Sequence, residues 1–120
     1  MPATAVLLAH TPEEIRAEAR RALTLLRAAI DRCDHVQADR IRAHVTAYAW
    51  LLGETDVAPV TGRRVPALTA RDLSLEQAPG RDHAEQNTHR YNDPARVLPE
   101  AVFDAIAWAR GEFDEPPSDD

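Results

Sequence analysis

Lysine is missing from this chain of 120 residues, and all 14 basic side chains are Arg. Together with 22 Ala, that usage points to a GC-rich genome such as that of an actinobacterium or one of its phages. Cysteine is nearly missing too. Cys33 stands alone, so no disulfide can form within the chain. The first ten residues, "MPATAVLLAH", carry no Arg or Lys, and their apolar run is too short for a secretory signal. The expectation is a reduced, cytoplasmic compartment. No apolar run approaches the ~20 residues of a membrane span.

Other scarcities exclude chemistries. The four glycines, at 53, 62, 80 and 111, sit at turns or helix stops, so no phosphate-cradling loop is present. Ser74 and Ser118 are the only serines, and neither sits in a strand–turn–helix elbow. Acidic residues outnumber basic ones and the net charge is −6, which weighs against non-specific nucleic-acid binding. The excess is local. The tail "EFDEPPSDD", 112–120, holds five acids and no base, leaving 14 Arg against 15 acids elsewhere.

What is present reads as helix. "TPEEI" places Thr11 at a cap, Pro12 at the first helical position and Glu14 in a capping box. Ile15, Ala19, Ala22, Leu26, Ala29 and Cys33 then recur at threes and fours, widened by Leu23 and Ile30. This predicts a helix over 12–32, with the Cys33 thiol buried on its seam. Arg16, Arg20 and Arg27 share one side, with Glu13 and Asp31 among them, as on a solvated face. Asp34 caps a second helix over 35–52, with a seam of Ala38, Ile41, Val45, Tyr48 and Leu52 and a stop at Gly53. The short link between them implies an antiparallel hairpin over 12–52.

Residues 53–68 break the periodicity and suggest an irregular loop, or a hairpin turning at Thr61-Gly62. "TARD" is a second capping box and opens a short helix over 70–78, closed by Pro79-Gly80. "NDP" at 92–94 is turn chemistry, and a last helix is expected over 99–110. The predicted fold is all-α: the hairpin packed with the C-terminal helix, an irregular middle, one domain over 1–111 and a disordered acidic tail over 112–120.

Few residues point to a site. "RDHAEQNTHRYND", 81–93, gathers Asp82, His83, Glu85, His89, Arg90, Tyr91 and Asp93. His83, Glu85 and His89 are metal-ligand types, with Asp82 or Asp93 as a further donor. Yet histidines six apart point to different faces of a helix, so a solvated helix or loop is the first reading, a polar partner-binding surface the second and a metal site the last. His35 and His44 are nine apart and also diverge; His44, beside the seam, reads as a partly buried structural group. His10, ahead of the cap, reads as a staple or surface residue. Arg63 and Arg64 could head an arm that contacts a partner or a nucleic-acid groove. No catalytic set converges and no cofactor is implied. The expected function is a non-enzymatic protein-binding or regulatory module, with a homodimer among its candidate assemblies. A DNA-binding regulator using Arg63 and Arg64 is the alternative, and a small metal-dependent enzyme comes third.

Overall fold

The computed structural model describes residues 8–86 and 94–117, and the side chains of 8–79 and 99–117. The described residues form four helices: α1 (Pro12–Asp31), α2 (His35–Leu51), α3 (Ala70–Gln86) and α4 (Pro94–Ala109). The fold is all-α. α1 packs on α2, α2 on α4, and α4 on α3, so α2 and α4 are central while α1 and α3 lie outside them. No helix among the described residues is long and apolar enough to cross a membrane.

The caps form as their residue types require. Glu14 N donates to Thr11 Oγ1 at 3.1 Å, and Thr11 N donates to Glu14 Oε1 at 2.8 Å. At α3, Thr69 N donates to Asp72 Oδ2 at 3.2 Å and Asp72 N returns to Thr69 Oγ1 at 3.1 Å. Asp34 accepts from Gln37 N at 3.1 Å and opens α2.

α1, α2 and α4 all end in the same hydrogen-bonded turn, whose closing residue is left-handed. Gly53 (φ 78°) and Gly111 (φ 85°) fill that place after α2 and α4. After α1 it falls to Cys33, at φ 58°. Cys33 N donates to Ile30 O at 3.0 Å and Asp34 N to Ala29 O at 2.9 Å. Here the sequence expectation is corrected. The apolar repeat placed Cys33 on a buried seam, but the helix ends at Asp31 and the thiol is exposed.

Two further boundaries differ. α3 does not stop at Pro79-Gly80 but continues to Gln86, with Pro79 inside it. The last helix starts at Pro94 and carries Pro99 within it. Each proline forfeits one backbone hydrogen bond. α3 and α4 pack along one another, and that contact outweighs the local signal.

The core is built on small residues. Ala22, Ala29, Ala47, Ala105 and Ala109 are fully buried, together with Ile15, Tyr48, Leu73, Val102 and Ile106. Alanine lets helix axes approach closely and leaves Tyr48, Trp50 and Trp108 to fill the larger gaps. α2 buries two faces. Besides the expected seam, Ala43, Ala47 and Trp50 are inside, as a helix between α1 and α4 requires. Ahead of α1, Ala9 N donates to Ala109 O at 2.8 Å, and His10 stacks on Trp108 with centroids 4.1 Å apart. Tyr48 meets the same indole edge-on at 5.9 Å.

Candidate interaction surface

The middle segment is an arm closed by a single antiparallel bridge between Val57 and Arg64. Gly62, at φ 76°, makes its turn. Glu76, from the second turn of α3, holds the arm in place. Its carboxylate is fully buried and accepts from Val60 N at 2.8 Å, Thr61 N at 3.0 Å and Thr61 Oγ1 at 2.8 Å. Arg63 also turns towards it, at 3.5 Å from Oε2, and lies 3.6 Å from Asp72. Arg64 grips both oxygens of Asp56 at 3.1 and 3.2 Å. The two arginines expected at the tip of a basic arm therefore face three carboxylates. A buried carboxylate is stable only with such a set of donors, so Glu76 organises the arm.

A second polar network ties α3 to the end of α4. Arg110 donates to Gln77 Oε1 at 2.8 Å and to Ser74 Oγ at 3.2 Å. Gln77 Nε2 donates to Glu112 Oε1 at 3.0 Å. Phe113 meets Phe103 edge-on at 6.4 Å, so the first two residues of the acidic tail touch the body.

The α2–α4 interface holds titratable groups. His44 is 1% exposed, and burial, aided by the nearby positive charge of Arg40, pushes its pKa down to about 4. Burial also raises the Asp104 carboxyl above its ordinary range, against the pull of Arg40 and with the push of Glu100. Glu18, buried on α1 between the seam positions Ile15 and Ala22, is raised by desolvation and opposed by Arg21 at 2.9 Å. These are a neutral imidazole and weakened acids within a packed interior. Their contribution to stability depends on pH. Among the described residues, no group of three His, Cys, Asp or Glu side chains is placed to hold a metal ion.

The outer side of α1 differs from all of this. Leu23 is 46% exposed and Ile30 51% exposed. Ala19 and Leu26 are half-buried beside them. At ~100° per residue these four fall within about 60° of rotation, flanking the face that meets α2. Arg16, Arg20 and Arg27 fill roughly the next 40°. All three are exposed and make no ion pair with a described residue, whereas Arg21 pairs with Glu18, Arg32 with Asp34 and Arg42 with Asp39. The result is an apolar strip bordered by α2 on one side and a row of unpaired guanidiniums on the other.

Of the expected site residues, the structure places Arg63 and Arg64 in the arm. Asp82, His83 and Glu85 lie on the last turns of α3, with side chains outside the described set, and His89, Arg90, Tyr91 and Asp93 lie outside the described residues altogether. Leu23 and Ile30 keep the helical period of the α1 seam, which predicts them inside, yet both stand about half exposed. Glu76 gave no signal, because an acid in the second turn of a helix is ordinarily solvated. No protein family, characterised protein or solved structure matches this chain.

Proposed function

We propose that the protein is a non-enzymatic interaction module that binds another protein segment along the outer face of α1. The observation that carries this reading is the pair Leu23 and Ile30. Two large aliphatic side chains, two turns apart on one helix, each leave about half their surface in water. Further support is negative charge elsewhere: the arm opposes its two arginines with Asp56, Asp72 and Glu76, which does not favour a nucleic-acid contact there. A helix that presents apolar residues at i, i+4, i+7 and i+11 offers the pattern used in helix-to-helix recognition.

The test is site-directed photo-crosslinking in cells. A photoactivatable phenylalanine analogue replaces Ala19 on the strip or, as control, Thr46 on the exposed side of α2. The expected result is one discrete adduct above the 13.3 kDa chain from position 19 and none from position 46. Adding Leu23→Asp with Ile30→Asp abolishes that adduct. No adduct from position 19, or equal adducts from both positions, contradicts the reading.

A further inference from the structure

We infer that the occupant of the α1 face is an acidic amphipathic helix of a partner protein, its apolar side on Ala19, Leu23, Leu26 and Ile30 and its carboxylates opposite Arg16, Arg20 and Arg27. This rests on the docking reading above and adds the chemistry of the partner.

Charge complementarity is the argument. The strip has unlike borders. On one side it runs into the α1–α2 contact, where Ile15, Ala22 and Ala29 are fully buried. On the other it meets three exposed arginines without partners among the described residues. An apolar helix seated on the strip would bring one flank within reach of those guanidiniums. Arginine matches carboxylate in a bidentate fork, so Asp or Glu on that flank is favoured and Lys or Arg disfavoured. A second copy fits less well, because an antiparallel two-fold pairing of α1 sets the two arginine rows against each other. An anionic membrane also fits less well. The strip offers three large aliphatic side chains, Leu26 among them half-buried, and no aromatic one, and Glu13 and Asp31 close both ends of the arginine row.

The experiment titrates the full chain with synthetic helical peptides of about 18 residues, roughly the length of α1. One carries Leu at i, i+4, i+7 and i+11 with Glu flanks; its twin carries Lys flanks. The expected outcome is that the Glu peptide binds about tenfold or more tightly than the Lys peptide, as three exposed ion pairs supply. That preference shrinks in about 0.5 M salt, where the screening length falls to a few ångströms. The triple change Arg16→Ala, Arg20→Ala, Arg27→Ala removes the preference and leaves the chain folded, since all three side chains are exposed. Leu23→Ser with Ile30→Ser weakens both peptides.

Equal binding of the two peptides, lost only in the Leu23/Ile30 variant, would overturn the acidic partner and leave the docking face standing. No binding of either peptide, with the adduct from position 19 still present, likewise removes this partner chemistry alone. No binding and no adduct removes both. Co-sedimentation with phosphatidylglycerol vesicles that depends on Leu23 and Ile30 would assign the face to a membrane. A dimer in light scattering that dissociates on Leu23→Ser with Ile30→Ser would assign it to a second copy. Either result replaces the acidic helix.

Discussion

The two outer helices of the molecule treat their polar groups in opposite ways. Around α3, the buried Glu76 gathers the arm, Asp72 closes the cap, and Gln77 and Arg110 bind the end of α4. Around α1, Arg16, Arg20 and Arg27 face water beside a half-exposed aliphatic strip. A side chain that costs entropy to order is ordered where the fold uses it. The α3 edge is completed from within the chain. The α1 edge is complete only as a surface, and that is the physical basis for placing the partner there.

The largest effect should come from breaking the α3 edge. Glu76→Ala strips the partner from two backbone N–H groups and the Thr61 hydroxyl where the carboxylate is fully buried and the arm only partly so. A loss of about 3–5 kcal/mol in urea unfolding is expected, the cost of leaving buried polar groups unpaired. Glu76→Gln keeps one accepting oxygen and should cost about half as much. If Glu76→Ala melts with the wild type, the arm is not anchored as described.

Next in size is the pH dependence of the centre. The folded-state pKa of His44 is about 4, below its ordinary 6.5. The unfolded chain therefore binds the proton first, and stability falls as pH drops from about 6.5 towards 4. The full effect is about 3 kcal/mol, reduced in the carboxylate range because Asp104 and Glu18, both raised, take up protons more readily when folded. His44→Phe should flatten this slope in denaturant titrations repeated between those pH limits. A slope that survives the substitution would place the linkage elsewhere.

Cys33→Gly is a smaller effect with the opposite sign. The left-handed position costs a cysteine about 1 kcal/mol relative to glycine, so the variant should gain roughly that amount, less the added freedom of the unfolded chain. Its mirror image is Gly111→Ala. An added Cβ there would stand 2.8 Å from Ala9 Cβ, so that change should destabilise beyond the backbone strain alone. A thermal shift of the same sign for both would contradict the shared turn geometry.

How legible this was differed by region, for physical reasons. The caps at Thr11, Asp34 and Thr69 and the stops at Gly53 and Gly111 are local, and each was readable from its own few residues. The all-α hairpin followed from them. The places that misled were those where distant contacts decide. Pro79 and Pro99 read as helix ends because their cost is local, while the α3–α4 packing that overrides it is not. Ala43 and Ala47 lie off the α2 seam, and only the position of α2 between two helices makes them core. Leu23 and Ile30 obeyed the helical period yet found no helix to cover them. Glu76 could not be distinguished from a surface acid without knowing where the arm folds.

The smallest effect on stability carries the most functional weight. Leu23→Ser with Ile30→Ser should change unfolding by less than about 1 kcal/mol, since exposed aliphatic groups contribute little to the core. The most direct test of the α1 face is methyl NMR of the chain during titration with the Glu-flanked peptide. The account predicts that Leu23, Leu26 and Ile30 shift while Leu73 and Ile106, buried in the core, do not. Shifts centred on the arm at Val57, Val60 and Val65, with α1 unmoved, would contradict it.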